Sequence, residues 1–137
     1  MADMKKIFIS LVLTFVFILT ACRGGSTSTT INVTMTDFMF TPDNFTIPAG
    51  TEIMFKATNN GAVAHEFVIF KLGTNPGDSF GPEDQPNIFW QAKVQPGESK
   101  SLTFTAPVEP GEYYITCGIT GHHEAGMNAK LIVVAGG

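Results

Sequence analysis

From Ile31 onwards, apolar and polar residues alternate in short runs, which is the pattern of β-strands with one buried face. In the run Thr51–Thr58, for example, Ile53, Phe55 and Ala57 would share one face. β-branched and aromatic residues are frequent in these runs, and turn residues separate them at close spacing. The predicted strands are Ile31–Thr36, Phe45–Pro48, Thr51–Thr58, His65–Leu72, Ser99–Ala106, Gly111–Cys117 and Ala129–Ala135. Since no long helical period is present, the pattern predicts an all-β sandwich or barrel of about seven to eight strands.

One long segment, residues 73–87, breaks this pattern with Gly, Pro, Asp and Asn and has no period of its own. We interpret it as a surface excursion between two strands with room for a short helical turn, closed by the apolar anchor Ile88–Trp90. Loops of this length are often functional. The segment contains no cluster of ligand-like residues, so a plain connection is the favoured interpretation.

The first residues of the chain have the organisation of an export signal. Lys5 and Lys6 form a basic start, and Ile7–Leu19 is almost wholly apolar but shorter than the roughly 20 residues that span a bilayer. The segment Leu19–Cys22 resembles the lipobox of bacterial lipoproteins, which implies cleavage before Cys22 and acylation of that cysteine. The alternative is an ordinary secretory signal with an incidental cysteine.

We therefore expect a signal peptide over residues 1–21, a lipidated and flexible tether over 22–30, and one domain over 31–137. A domain of this size has room for one core. Without the signal, six Lys and Arg stand against eleven Asp and Glu, a formal charge of −5, so we expect no nucleic-acid partner. If Cys22 carries lipid, Cys117 has no partner for a disulfide, and its thiol must have another use.

That thiol begins the segment with the most metal-ligating side chains in the chain. Four residues separate Cys117 from His122, and four more separate His122 from Met127. A thiolate, two neutral imidazoles and a weak thioether are the ligands of a blue-copper electron-transfer site, so one histidine from elsewhere is required. His65 is the histidine available for that position. Within the segment, His122 and His123 compete for a single place.

The ligand segment and its surroundings together resemble the cupredoxins, the small blue copper proteins that include plastocyanin, azurin and auracyanin. The segments that resemble the family, in family order, are Asp37–Pro42, Pro48–Gly50, Asn60–Ile69, Pro110–Cys117 and Cys117–Met127. Gaps of four and four residues around His122 are similar to those of auracyanins, as is the lipobox. The family's ligand follows a glycine, and this favours His122, after Gly121, over His123, which we expect to be a solvated neighbour.

The resemblance implies a Greek-key β-sandwich with one type 1 copper bound by His65, Cys117, His122 and Met127. It also implies a monomeric carrier of single electrons, not an enzyme, anchored by lipid at the outer face of the bacterial cytoplasmic membrane. A quinol-oxidising complex would be its donor, and a reaction centre, cytochrome or oxidase its acceptor. The alternative is an exported protein for copper tolerance or delivery. One site without further Met-rich or His-rich tracts disfavours storage, and three histidines disfavour a multicopper enzyme.

Three positions near the expected site depart from the family pattern. Thr120 stands where many members have Pro, and we expect it to place a donor near the sulfur. Gly118 and Glu66 stand where Thr or Ser and Asn are frequent, so a link between those positions is expected to be missing. The uncharged residues Gly61–Ala64 and Ile119 flank the site, and they form either an apolar docking patch or a segment kept small for packing.

Overall fold

The computed structural model describes residues 27–136. In this part of the chain there are nine strands and one short 3₁₀ helix, Pro82–Asn87. The strands are β1 (Thr30–Thr36), β2 (Met39–Thr41), β3 (Asn44–Pro48), β4 (Glu52–Asn59), β5 (His65–Phe70), β6 (Ile88–Val94), β7 (Ser99–Thr105), β8 (Gly111–Cys117) and β9 (Asn128–Val134).

The strands form two sheets. One sheet has four strands in the order β2-β1-β4-β7, and the other has five in the order β3-β9-β8-β5-β6. Two pairs, β1 with β4 and β3 with β9, are parallel, whereas the other pairs are antiparallel. The three central strands of the larger sheet therefore include β5 and β8, which begin and end at candidate ligands.

The core lies between the two sheets, with Phe67 of β5 at its centre. The rings of Phe40, Phe45 and Phe55 lie 5.2, 5.8 and 5.0 Å from the ring of Phe67. Phe40 and Phe55 belong to the four-stranded sheet, and Phe45 belongs to the same sheet as Phe67. Such aromatic contacts each contribute about 0.5–1.5 kcal/mol beyond area burial, so this cluster holds the two sheets in a fixed relation.

The all-β prediction is confirmed, and each of the seven predicted strands is present with ends that shift by at most two residues. The sequence pattern misses β2 and β6. β2 has only three residues, and β6 appears in the sequence as no more than the apolar anchor Ile88–Trp90. Both are edge strands, in which exposure weakens the apolar signal, although β3 and β7, also at sheet edges, were predicted.

The excursion over residues 73–87 does contain a helical turn, the 3₁₀ helix at its end. Its ends are fixed by the Asp84 carboxylate, which accepts from the Gly81 backbone N–H at 2.9 Å, and by Lys71, which donates to the Pro86 carbonyl at 2.6 Å. The ring of Phe80 packs edge-on against Phe70 at 6.2 Å.

The predicted signal peptide, Cys22 and most of the tether lie outside the described residues. The last tether residues are attached to the domain, because the Ser28 backbone N–H donates to Thr46 and the Thr29 carbonyl accepts from Met54. These contacts place Ser28 and Thr29 against strands β3 and β4. Across residues 27–136, none of the helical structure is long and apolar enough to span a membrane.

Candidate metal centre

Three side chains from distant parts of the sequence converge at one end of the sandwich. His65 Nδ1 lies 3.2 Å from His122 Nδ1 and 3.9 Å from Cys117 Sγ, and His122 Nδ1 lies 3.4 Å from the same sulfur. His65 and Cys117 are fully buried, and His122 is nearly so. Each of the three residues thus places one ligand atom within 4.8 Å of the other two, in a buried environment.

The sheet places two of these side chains. His65 begins β5 and Cys117 ends β8, and the two strands pair antiparallel with Phe67 opposite Cys117. Side chains two residues apart on a strand share a face, so His65 lies on the same face as Phe67 and next to the sulfur. The rigid centre of the larger sheet therefore fixes the positions of both ligands.

The loop between β8 and β9, residues 118–126, places the other candidates; we call it the copper loop. Its backbone closes on itself, since the His122 N–H donates to Ile119 and the Met127 N–H donates to His122, both at 3.0 Å. The Cys117 N–H in turn donates to the Met127 carbonyl at 3.0 Å. Met127 is fully buried directly before β9, beside the cysteine, in the position that the sequence predicts.

The surroundings of the Cys117 thiol act on its pKa in opposite directions. Burial raises the pKa of Cys117, and the backbone N–H groups of Glu66 and Ile119 partly oppose this shift. The Glu66 N–H lies 3.4 Å from the sulfur. Thr120 is not among the sulfur's hydrogen-bond donors in the described residues, so the donor expected from Thr120 is provided by backbone groups instead.

Burial also lowers the pKa of His65, and the neighbouring His122 lowers it further, while Asp37 partly opposes both effects. A neutral imidazole has a free lone pair, and this is the form that binds metals. His65 directs Nδ1 into the cluster and Nε2 away from it.

Asp37 is a functional neighbour that the ligand pattern does not reveal. Its Oδ1 lies 3.3 Å from His65 Nε2, and its carboxylate accepts from the Ala62 N–H at 3.1 Å. Nε2 is the one buried side-chain nitrogen or oxygen of residues 27–136 that lacks a well-aligned hydrogen bond. A Cβ on Gly61 would lie 2.7 Å from Nε2, so glycine is needed for this approach. A carboxylate behind a ligating histidine fixes its orientation and raises its basicity.

Phe38, next to Asp37, is the second neighbour that sequence patterns miss. Its ring lies 5.1 Å from the ring of His122, edge-on at 64°. Its backbone has φ of 66°, a left-handed conformation that is costly for a bulky residue. Over half of Phe38 is nevertheless exposed. The two-residue turn Asp37–Phe38 thus contacts both His65 and His122. In the sequence, this turn is marked only by lying in the segment Asp37–Pro42, which resembles the family.

The expectation that His123 is solvated is wrong. Only 7% of His123 is exposed. Its Nδ1 lies 3.0 Å from Thr116 Oγ1 and 2.9 Å from Asn128 Oδ1, and its Nε2 lies 2.9 Å from the Gly77 carbonyl. The physical reason for the error is that a polar side chain can be buried when its hydrogen bonds are satisfied, which no local pattern reports. His122, as predicted, is the loop histidine that faces the cluster.

A link between positions 118 and 66 was expected to be missing, but a backbone link between them is present. The Gly118 N–H donates to the Glu66 carbonyl at 3.1 Å, so the backbones are joined directly. A Cβ at Gly118 would collide with the Glu66 carboxylate and touch Val68. Glycine at position 118 therefore leaves room for the Glu66 side chain.

The donor set fits copper. Trigonal copper sites with a weak axial thioether use two imidazole nitrogens and one thiolate sulfur. The cluster offers these three atoms, and a buried methionine, Met127, lies directly before the last strand. A family model described as a cupredoxin-like domain matches residues 8–133. The chain belongs to the cupredoxin-like family. His65, Cys117, His122 and Met127 of this cupredoxin are positioned like one copper site.

Three curated relatives resemble this cupredoxin in sequence. It is 34% identical to auracyanin-B of Chloroflexus aurantiacus over 69% of this chain and 46% of the relative. It is 29% identical to the copper-resistant cuproprotein CopI of Rubrivivax gelatinosus, over 76% of this chain and 66% of the relative. It is 32% identical to plastocyanin of Sambucus nigra, over 69% and 86%. The chain thus spans less than two thirds of the length of the first two relatives.

Solved auracyanins share the fold of this cupredoxin. Dithionite-reduced auracyanin from the photosynthetic bacterium Roseiflexus castenholzii superimposes with a TM-score of 0.67 at 29% identity, over 80% of this chain and 99% of the other. Auracyanin A of Chloroflexus aurantiacus, described as a blue copper protein, gives a TM-score of 0.62 at 27% identity, over 77% and 98%.

Proposed function

We propose that this cupredoxin carries single electrons on one type 1 copper held by His65 Nδ1, Cys117 Sγ, His122 Nδ1 and the thioether of Met127. The observation that carries this proposal is the convergence of the two Nδ1 atoms and the sulfur within 4.8 Å of one another, all from buried residues. When bound there, copper supplies the one-electron Cu(I)/Cu(II) couple. The protein's own part is to hold the ligands and exclude water.

The supports of the ligands favour a carrier over an enzyme. His65 and Cys117 lie on paired central strands, and the backbone bonds of the copper loop join Met127 to both Cys117 and His122. Ligands held by a sheet move little when the charge of a bound metal changes, and small movements allow fast electron transfer.

The electron would pass through an apolar surface beside His122. Phe38, Met39 and Val63 are 52%, 55% and 45% exposed. The Ala62 N–H joins their two segments by donating to Asp37. We define Phe38, Met39, Ala62 and Val63 as the docking patch. Weak redox complexes have small interfaces, and a patch of this kind suits a transient partner.

The proposal includes the cellular setting that the N-terminal sequence indicates. Export, cleavage before Cys22 and lipid attachment would place the monomer on the outer face of the bacterial cytoplasmic membrane, with the domain beginning near residue 31. Its donor would be a quinol-oxidising complex, and its acceptor a reaction centre, a cytochrome or an oxidase. The names of the auracyanin and plastocyanin relatives support a carrier of this class.

The visible spectrum of the copper-loaded domain tests the proposal. Thiolate-to-copper charge transfer should give a deep blue to green colour, and Cys117→Ser should abolish it because a hydroxyl is a poor copper ligand. His65→Ala and His122→Ala should each open the site. A coloured Cys117→Ser variant would refute the assignment of the sulfur ligand.

Copper tolerance or delivery is the second candidate function, because the chain is similar to a protein named as copper-resistant over three quarters of its length. The two functions differ in how firmly copper is held. A carrier should retain copper against chelators in both oxidation states and exchange electrons rapidly with itself. Rapid loss of Cu(I) to a chelator, with slow self-exchange, would favour delivery.

A further inference from the structure

His123 is a buried histidine that faces away from the candidate copper site. Its neighbour His122 points Nδ1 at the Cys117 sulfur, whereas His123 forms a polar cluster with Thr116, Asn128 and Gly77. These three partners belong to β8, to β9 and to the excursion. One side chain of the copper loop therefore contacts three separate parts of the fold.

The chemistry of one partner fixes part of the arrangement. The Gly77 carbonyl can only accept, so His123 Nε2 carries the proton and donates across 2.9 Å. Nδ1 can then only accept, so it takes one hydrogen bond, either from the Thr116 hydroxyl or from the amide group of Asn128, and these two side chains are themselves 2.7 Å apart. Thr116 is fully buried, so this cluster lies inside the protein rather than on its surface.

The copper loop has few other side-chain attachments. Apart from the contacts of His122 with the other ligand side chains, His123 makes all the side-chain hydrogen bonds of loop residues 118–126 that occur in the described chain. Gly121 and Gly126 bracket this turn with φ of 83° and 91°, values that favour glycine. The backbone hydrogen bonds of the turn are mostly internal to it, so the side chain of His123 is what attaches the turn to other parts of the fold.

The excursion depends on the same residue. Within the described chain, the bond from His123 to Gly77 is the one hydrogen bond that joins residues 75–80 to the rest of the domain. The Phe80 ring adds an apolar contact with Phe70 at its far end. The excursion is therefore fastened to the copper loop and is more than a plain connection.

We propose that His123 is a positioning residue that locks the copper loop to β8, β9 and the excursion, and thereby holds His122 and Met127 in place before copper binds. The proposal rests on the proposed function for its purpose, since a preset loop lowers the rearrangement on metal binding and electron transfer. The lock itself is a property of the protein without metal.

Hydrogen exchange of the metal-free domain tests the lock directly. In His123→Ala, the hydrogen-bonded amides of the copper loop (Gly118, His122, Ala125 and Gly126) should exchange about tenfold faster than in the wild type, because the side-chain bonds that attach this loop to the rest of the fold are lost. Glu124→Ala, an exposed change on the same loop, is the matched control and should leave exchange unchanged. His123→Gln retains an N–H donor for the Gly77 carbonyl and should restore part of the protection of the copper loop.

Copper provides a second readout. Cu(I) should transfer to a chelator about tenfold faster from His123→Ala than from the wild type or Glu124→Ala. Removing a residue that supports a metal ligand typically lowers metal affinity by about tenfold or more. Unchanged exchange of the copper-loop amides in a folded His123→Ala domain would overturn the lock. If His123→Ala fails to fold, exchange of the copper-loop amides in His123→Gln as fast as in an unprotected loop would overturn it. A wild type that binds no copper but shows the exchange pattern would overturn the proposed function and leave the lock intact.

Discussion

Asp37 places a carboxylate oxygen 3.3 Å from the outer nitrogen of His65, the most deeply buried of the histidines. The side chain of Asp37 is itself 42% exposed, so water screens part of its charge. A negative charge behind a ligand stabilises the more positive metal state, Cu(II), over Cu(I). This residue therefore bears on the reduction potential as well as on the orientation of the ring.

Asp37→Asn should raise the reduction potential, because the amide oxygen can still face Nε2 while the charge is lost. A loss of about tenfold in Cu(II) affinity, with Cu(I) affinity kept, corresponds to about 59 mV in a one-electron couple. Redox titration at low and high salt measures the shift, which should shrink with salt. Asp43→Asn removes one charge at an exposed position and serves as control; a shift of equal size there would reduce the effect to net charge.

Met127→Leu should keep the colour, since the thioether is the weak ligand of the proposed set. Its removal should raise the reduction potential, because Cu(II) loses a donor and gains an apolar neighbour. Spectra and a redox titration of the folded variant measure both outcomes. An unchanged or lowered potential would argue against an axial role for Met127.

Among the elements, the central strands and the edge strands β3 and β7 were predictable from the sequence, whereas the edge strands β2 and β6 were not. β1 and β4 alternate regularly because one face of each is buried, and the alternation is visible in the residues themselves. β2 and β6, at the sheet edges, lack that signal. The same holds for the site: the ligands repeat a spacing, but the roles of Asp37 and His123 arise from contacts across many residues of sequence.

The turn between β1 and β2 and the loop before β5 meet to form the docking patch, so a charge there should disturb encounters with a partner. Val63→Asp should slow electron transfer to the physiological acceptor about tenfold, since the carboxylate must lose water on docking without gaining a partner. Colour and potential should change little.

Val108→Asp is the matched control for this variant. Val108 is 81% exposed and precedes β8, whose other end carries Cys117, so about 20 Å of strand separates it from the site. Stopped-flow kinetics with the purified acceptor compares the two variants. Equal electron-transfer rates for the two variants would show that the partner does not dock at the docking patch.

For the whole molecule, the direction of β1 relates the proposed membrane anchor to the site. β1 begins at Thr30, where the predicted tether joins the domain, and Asp37 beside the ligands directly follows its end. A strand of seven residues spans about 20 Å, so the tether joins the end of the sandwich that is remote from the copper site. An anchored domain could then present the docking patch away from the membrane.

Cys22→Ala should release the full chain from membranes or leave its signal uncleaved. One acyl chain binds membranes only marginally, so stable anchoring of the wild type requires several chains. Cell fractionation and mass spectrometry of the mature N-terminus measure both outcomes. Cys117→Ser, which removes the other cysteine, should remain in the membrane fraction. A wild type recovered wholly soluble and without lipid would contradict the anchor.

The pairing of Phe67 with Cys117 has a consequence for insertions and deletions. His65, Phe67 and Ile69 follow the two-residue repeat of a strand, and all three are buried. One residue inserted between His65 and Phe67 would turn the imidazole to the opposite face, so the length of this segment cannot vary. The loop after Cys117 has no such repeat. Changes in its length can alter the reach from His122 to Met127 while the sandwich stays as it is, and natural or engineered diversity in this site should accumulate there.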